Sequence, residues 1–272
     1  MAKARRTLLL SMLGAMSVIC GAGVERAWAA ENNLDSAIAS NKIIDLTHVL
    51  GPGLPDFHEG AVSFTYEPLY SVKKNGYANG KFCTPEHYGT HVDAPTHFFD
   101  GKASIDKLQV ETFVRPCVVI DVRDEVKADP DYLLTPEKIQ ALEKKDKFPT
   151  GSVVLLLTGW GQRWQDATAY RNVGKDGSMH YPSFGAAAAD YLIKHCHVQG
   201  LGVDTISADY GLSRDYPVHK LVLGQGLYLI ENIANLEQLP ARGATLICAP
   251  LPIKDGTGSP ARIMAIVPSE KY

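Results

Sequence analysis

Residues 86–98 read Glu86-His87-Tyr88-Gly89-Thr90-His91-Val92-Asp93-Ala94-Pro95-Thr96-His97-Phe98. Three of the chain's nine histidines and one aspartate, at positions 87, 91, 93 and 97, fall within eleven residues of this stretch. Imidazole nitrogens and carboxylate oxygens are common ligands of divalent metal ions in enzymes. The stretch therefore predicts a metal site.

The spacing of these four residues favours an extended backbone that ends in a turn. Side chains alternate between the two faces of a strand, so positions 87, 91, 93 and 97 would share one face. Gly89, the β-branched Thr90 and Pro95 all disfavour a helix. We therefore expect a strand that runs into a turn at Ala94-Pro95. Two imidazoles and one carboxylate on one face would leave coordination positions open for water and substrate, as in catalytic metal sites.

The same stretch resembles the H-x-G-T-H-x-D-A-P-x-H signature of the cyclase family, which includes bacterial kynurenine formamidases and isatin hydrolases. Further segments of the chain are similar to this family's strands and to its segment near the substrate. These segments are residues 44–48, 55–57, 157–160, 200–207, 231–236, 249–252 and 258–262.

The resemblance implies an enzyme, a metal-dependent hydrolase that cleaves the C–N amide bond of a small aromatic amide. It implies His87, His91 and Asp93 as metal ligands and His97 as the proton carrier. The amide is either cyclic, as in isatin, or a linear arylformamide, as in N-formylkynurenine; other cyclic amides and lactones stay open. The family also implies an α/β fold of the swivelling β/β/α type, with a mixed sheet and flanking helices, and a homodimer.

The resemblance also bears on the number of metal ions. Dinuclear formamidases of the family use a further histidine and an acidic residue from the middle of the chain. His180 could be that histidine, but residues 184–189 contain no acidic side chain. We therefore expect one divalent ion, Mn²⁺ or Zn²⁺, and this favours the cyclic amide slightly.

The chemistry of such a site agrees with amide hydrolysis. A divalent ion held by two imidazoles and a carboxylate lowers the pKa of bound water from about 15.7 to about 7 and polarises a carbonyl group. The leaving nitrogen needs a proton, and a histidine that titrates near neutrality can take and give one. His97 is the candidate for this proton carrier because it lies in the same segment but beyond Pro95, outside the expected set of metal ligands. The alternative is that His97 is a fourth metal ligand.

Other residues are candidates for the substrate site. Phe57 and Trp160 could form the wall around an aromatic substrate, although such residues are also common in cores. His219, in a predicted loop, resembles a family position near the substrate and is otherwise a surface histidine. Asp204 and Asp209 could orient a ligand or cap a turn.

The secondary structure predicted from the sequence alternates in type. Short β-rich runs predict strands at residues 118–122, 152–157, 200–203, 226–230 and 244–248. Thr135 and Pro136 predict the start of a helix that extends to about residue 144, and an alanine-rich run predicts another at residues 184–194. Surface loops are predicted at residues 124–136 and 171–183. This alternation indicates an α/β fold, and we expect one domain, residues 30–272.

The N-terminal sequence predicts export. Basic residues at positions 3, 5 and 6 precede an apolar run at residues 8–23 and an A-x-A-type cleavage site at residues 27–29. We expect a signal peptide at residues 1–29, either an ordinary secretory signal or a twin-arginine one, and a periplasmic protein. Cleavage removes four positive charges and one negative, so the formal net charge of −3 becomes −6. This acidic balance argues against nucleic acid or a membrane as a partner.

Four cysteines follow the signal, at positions 83, 117, 196 and 248, and their disulfide state stays open. Cys117 and Cys248 lie in apolar runs and are most simply buried residues. Cys83, four residues before His87, is a weaker candidate for a nucleophile or ligand. A second functional class also stays open: a periplasmic protein that binds a metal or small molecule without turnover, for which His97 would be dispensable.

Overall fold

The computed structural model describes residues 41–57 and 64–268. The chain divides into two units, one formed by Ile43–Val267 and the other by Met1–Lys42 with Pro268–Tyr272. The elements that position the site lie in the first unit. The predicted signal peptide, residues 1–29, lies outside the described residues.

The strands of the described residues are β1 (Lys42–Asp45), β2 (Thr65–Tyr70), β3 (Asn79–Cys83), β4 (His91–Asp93), β5 (Val114–Asp121), β6 (Leu133–Leu134), β7 (Val153–Leu157), β8 (Ser183–Phe184), β9 (Gly200–Val203), β10 (Tyr228–Glu231), β11 (Thr245–Pro250) and β12 (Gly258–Val267). The α-helices are α1 (Val72–Asn75), α2 (Arg123–Ala128), α3 (Pro136–Glu143), α4 (Ala167–Arg171), α5 (Ala186–His195) and α6 (Pro217–Gly224). Short 3₁₀ helices lie at Pro95–His97, Ile105–Lys107, Val110–Phe113, Trp160–Arg163 and Leu236–Gln238.

One mixed sheet positions the site. Its eight strands follow the order β1-β12-β11-β5-β7-β9-β10-β4. β5, β7, β9 and β10 pair in parallel, whereas β4 is antiparallel to both β10 and β12. β12 pairs with β11 over residues 261–266 and with β4 over residues 258–260. The sheet therefore returns to β4 through β12, which sets β4 beside the carboxyl end of β10.

The central strands are buried on both faces. In β7, Leu155 packs in one core with strand residues such as Ile230 and Ile263. Its neighbour Leu156 packs in a second core with Ile139 of α3 and Leu192 of α5. Burying a side chain of this size contributes about 1.5–3 kcal/mol. Apolar residues on both faces are typical of parallel strands covered by helices.

These elements confirm the predicted α/β class with a mixed sheet and flanking helices. The five predicted strands correspond to β5, β7, β9, β10 and β11, and the two predicted helices to α3 and α5. The predicted loop at residues 124–136 is wrong in part, because α2 and β6 occupy much of it. Acidic residues at positions 124 and 125 lie in the first turn of α2, where they favour a helix.

A two-stranded hairpin lies outside the main sheet. β2 and β3 pair as a separate hairpin whose apolar side chains, among them Tyr66, Val72 and Phe82, are exposed.

The four cysteines of the described residues form no disulfide bond, and the expected burial of Cys117 and Cys248 is confirmed. Within residues 41–57 and 64–268, no helix has the length and apolar character needed to cross a membrane.

Candidate metal centre

The predicted metal segment is bent on both sides of a short strand. β4 covers only His91–Asp93, whereas His87 precedes it in a turn and His97 ends a 3₁₀ helix. Gly89 has a φ of 65°, which glycine adopts readily, and Pro95 begins the 3₁₀ helix. The predicted strand that runs into a turn at Ala94-Pro95 is present, but it covers only residues 91–93. The expectation that positions 87, 91, 93 and 97 share one strand face is therefore wrong, and the bends bring their side chains together instead.

Glu231 enters the same site from β10. It lies opposite His91 in the antiparallel register of β10 and β4. Its Oε2 atom is 3.4 Å from Nε2 of His91, and its side chain is 7% exposed. The sequence did not identify Glu231 as a ligand, although a carboxylate at the end of an apolar buried strand was a usable signal, since such groups are rarely buried without a partner.

His219 reaches the cluster from α6. It lies in the first turn of this helix and is buried, so the predicted loop position is wrong. Its Nε2 atom is 3.4 Å from Oδ2 of Asp93 and 3.2 Å from Oε1 of Glu231. Asp209 accepts a hydrogen bond from Nδ1 of His219 at 2.7 Å, and it also accepts from the backbone N–H groups of Val218 and His219. Asp209 thus caps the helix and orients the imidazole.

Asp93 is the centre of the cluster. Its Oδ1 atom is 2.6 Å from Nδ1 of His87 and 3.2 Å from Nε2 of His91. Its Oδ2 atom is buried and has no hydrogen-bond partner in the described part of the chain. A buried carboxylate oxygen that accepts no hydrogen bond is costly, and a cation would satisfy it. Ligand atoms of His91, Asp93 and Glu231 lie within 4.8 Å of one another, so these residues fit a divalent ion.

The orientation of each imidazole also suits metal binding. The carbonyl of Gly89 accepts a hydrogen bond from Nδ1 of His91 at 2.9 Å, so Nε2 of His91 faces the two carboxylates. Nε2 of His87 donates to Oγ1 of Thr257 at 2.9 Å, and Thr257 donates in turn to Glu86. Histidines that bind metals commonly donate their second ring N–H to such an acceptor, which fixes the tautomer.

The electrostatics of the cluster favour positive charge between its carboxylates. Burial would raise the pKa of Asp93, but the charges of His87 and His91 outweigh it and hold this pKa well below its usual range. Burial and Asp93 would raise the pKa of Glu231, yet hydrogen bonds from His219 and His91 lower it to about 2. Burial would lower the pKa of His91, but Asp93 and Glu231 raise it to about 10. In a metal site, the cation takes the place of such protons.

His97 differs from the other imidazoles of the site. It is half-buried, and its ring stacks on that of His87 with centroids 3.9 Å apart. Burial lowers the pKa of His97 to about 4, rather than leaving it near neutrality as a proton carrier was expected to be. At neutral pH the ring is therefore uncharged, and it is a weaker base than a histidine of ordinary pKa.

A cavity of about 480 Å³ opens onto the cluster, within the range of about 300–1,000 Å³ of small-molecule sites. Its lining includes His97, Phe57, Phe98 and Tyr216 together with His219. Phe57 and His219, both predicted near the substrate, therefore lie at the cavity. His219 also lies in the cluster around Asp93 and Glu231, a position that the sequence did not suggest for it.

Trp160 does not line this cavity. Its side chain is 1% exposed and packs in an aromatic core with Trp164, Tyr170 and Tyr181. Its indole N–H donates to the carbonyl of Tyr170 at 2.7 Å. The structure thus places Trp160 in the core, which was the other role open to it.

His180 also lies apart from the cavity lining. Its Nδ1 atom is 2.7 Å from Oδ2 of Asp131, and its Nε2 atom is 3.9 Å from Oδ1 of Asp176. The histidine and the acidic residue that join the predicted ligands around Asp93 are instead His219 and Glu231.

Asp204 accepts hydrogen bonds from the residues that follow β7, and burial raises its pKa to about 6.

Known proteins are similar to this chain in sequence and in fold. An isatin hydrolase of Roseibium aggregatum is 34% identical over 261 residues, which cover 89% of this chain and 98% of that protein. A kynurenine formamidase of Bacillus anthracis is 28% identical over 227 residues, covering 82% of this chain and 96% of that protein.

A crystal structure of an isatin hydrolase bound to the product analogue thioisatinate superposes with a TM-score of 0.82 and 33% identity, covering 89% of this chain and 99% of the other. Residues 44–210 match the Cyclase family, described as "Putative cyclase". The chain therefore belongs to the cyclase family.

Proposed function

We propose that the protein is a metal-dependent hydrolase that cleaves the C–N amide bond of a small aromatic amide. The observation that carries this proposal is the buried Asp93 carboxylate, whose Oδ2 atom accepts no hydrogen bond from the described residues and lies 3.4 Å from Nε2 of His219, among imidazoles that line a cavity with aromatic walls. The similarity to isatin hydrolase and kynurenine formamidase supports the same bond type.

The residues that would hold a metal ion are His87, His91 and Asp93. His219 and Glu231 add a second set of donors around Asp93, so we propose that the site has ligands for two ions rather than the one expected from the sequence. When bound, a divalent ion of this kind activates water and polarises a carbonyl oxygen. Mn²⁺ and Zn²⁺ both suit a set of imidazoles and carboxylates.

His97 is the proposed proton carrier. Its uncharged imidazole lies at the cavity beside His87, where it can take a proton from the attacking water. It can then give that proton to the leaving nitrogen of the amide, which is a poor leaving group until it is protonated. His97→Ala should keep the metal and lose turnover. Unchanged turnover in this variant would contradict the role.

The cavity supports an aromatic substrate. Phe57, Phe98 and Tyr216 supply aromatic surface at its lining, and the imidazoles lie on the same lining. A planar ring can pack against these side chains while its amide carbonyl reaches the cluster. Both isatin and N-formylkynurenine carry such a ring beside an amide, and isatin is favoured by the higher identity to isatin hydrolase.

Hydrolysis assays test this proposal. The signal-free protein would be treated with a chelator, reloaded with Mn²⁺ or Zn²⁺, and assayed on isatin and on N-formylkynurenine. Turnover of either substrate that is lost on chelation and restored by metal is the expected result. Failure on both substrates by protein that holds its metal would overturn the proposed substrate class.

Two further expectations stand as proposals. We propose a homodimer, which the exposed apolar residues of the β2–β3 hairpin support, because an isolated two-stranded hairpin is only marginally stable in water. Light scattering during gel filtration tests this, and a monomer at micromolar concentration would contradict it.

We also propose that the protein is periplasmic. The signal-like sequence at residues 1–29 supports this location, and cell fractionation tests it.

A further inference from the structure

Tyr216 has an unusual backbone conformation beside the cavity. Its φ of 50° and ψ of 54° lie in the left-handed region, which bulky side chains rarely adopt. The next residue is Pro217, and a residue before proline normally avoids helical backbone angles. Such conformations persist where the surrounding structure enforces them, and they concentrate at ligand sites.

Helix capping does not account for this conformation. Tyr216 occupies the N-cap position of α6, but its side chain makes no capping hydrogen bond. Asp209 caps the helix in its place by accepting from the N–H groups of Val218 and His219. The Tyr216 backbone is held from both sides, since its N–H donates to Oγ of Ser213 at 3.2 Å and its carbonyl accepts from Lys220 at 3.1 Å.

The Tyr216 ring links the two aromatic walls of the cavity to the imidazole cluster. Its centroid is 6.4 Å from that of Phe57 and 5.7 Å from that of Phe98. It is also 6.0 Å from the ring centroid of His219, with an interplanar angle of 84°. Aromatic rings attract each other over centroid distances of about 4.5–7 Å. A flat ring in this cavity can therefore be surrounded by aromatic faces and edges.

We propose that Tyr216 determines ligand specificity, and that its enforced left-handed backbone holds its ring against the planar aromatic ring of the ligand beside the imidazole cluster. The inference deepens the proposed function and rests on it for the amide group of the substrate. Selection of an aromatic ring is nevertheless a property of the cavity, so it can be measured without turnover.

Two carboxylates isolate the contribution of the ring. Benzoate and acetate carry the same anionic group, and only benzoate carries an aromatic ring. Their dissociation constants would be measured by calorimetry on the Mn²⁺-loaded full-length mature protein, in the wild type, Tyr216→Phe and Tyr216→Asn. Asparagine tolerates left-handed backbone angles, so Tyr216→Asn removes the ring without forcing the backbone to change. Tyr216→Gly serves the same purpose if Tyr216→Asn fails to fold.

The wild type and Tyr216→Phe should both prefer benzoate. In Tyr216→Asn the affinity for benzoate should fall by about threefold to tenfold, as expected for the loss of an aromatic pair, while the affinity for acetate stays unchanged. An unchanged preference for benzoate, an equal loss for both carboxylates, or no preference in the wild type would each overturn the proposal. If the ring effect holds while isatin and N-formylkynurenine are not hydrolysed, the proposed function fails and the role of Tyr216 stands.

Discussion

Asp209 accepts a hydrogen bond from Nδ1 of His219 at 2.7 Å, which leaves Nε2 of His219 facing Asp93 and Glu231. His180 and Asp131 make a similar contact outside the cavity lining, since Nδ1 of His180 is also 2.7 Å from Oδ2 of Asp131. A carboxylate that accepts from one ring nitrogen keeps the other free to bind a metal.

The first prediction follows from the contact between Asp209 and His219. In Asp209→Asn, Oδ1 can still accept from the backbone of α6, but an amide N–H group can face His219 and favour the tautomer with a proton on Nε2. We expect metal affinity to fall by about 10- to 100-fold, measured by calorimetry with Mn²⁺ or Zn²⁺. Asp131→Asn should bind metal as the wild type does. Equal affinity in all three proteins would remove His219 from the ligand set.

A second prediction concerns Gly258, which packs against His87. A Cβ atom at this position would lie 2.5 Å from Cε1 of His87 and 2.7 Å from the carbonyl oxygen of Val92. Gly258→Ala should therefore displace His87, lower metal affinity and cost about 1–3 kcal/mol of stability. Gly51→Ala is the control, since nothing lies within 4 Å of its added Cβ. Normal metal content in Gly258→Ala would show that His87 can move without loss of the site.

The third prediction is a dependence of stability on pH. Burial lowers the pKa of His48 to about 4, and its ring stacks on Trp164 with centroids 3.9 Å apart. Between pH 6.5 and 4 the unfolded chain binds more protons at this residue, so its contribution to stability is lost as the pH falls. His48→Phe keeps the stacking and cannot be protonated. Its melting temperature should fall less than that of the wild type between pH 7.5 and 4.5, and an equal fall would contradict this role.

A substitution of Trp160 distinguishes a role in the core from a role in the substrate site. Trp160→Phe removes buried surface and the hydrogen bond to the carbonyl of Tyr170, so we expect a loss of about 2–4 kcal/mol of unfolding free energy. Because Trp160 does not line the cavity, KM should stay within about twofold of the wild-type value. A raised KM with unchanged stability would instead favour the substrate wall predicted from the sequence.

Local signals made much of the fold predictable. β7 and β9 are apolar and short, and Thr135 with Pro136 marks the start of α3, where Oγ1 of Thr135 accepts from the N–H of Lys138. These features depend on neighbouring residues only. The closure of the sheet through β12 depends on pairing with β4, more than 160 residues earlier in the sequence, and no local pattern encodes such a register.

The candidate site was likewise predictable only where its residues lie close together in the sequence. His87, His91 and Asp93 are close in sequence, so their spacing alone indicated a metal site. His219 and Glu231 join them only because α6 and β10 fold against β4. An isolated histidine in a helix and an acidic residue at a strand end look ordinary until the tertiary structure brings them to Asp93.

The central claim is that the cluster around Asp93 holds the metal on which hydrolysis depends. The most direct measurement is the metal content per chain, together with isatin hydrolysis, of chelated and reloaded wild type and Asp93→Asn. We expect the wild type to regain both metal and turnover and Asp93→Asn to regain neither, although both fold. An Asp93→Asn protein that binds metal and hydrolyses isatin as the wild type does would contradict the claim.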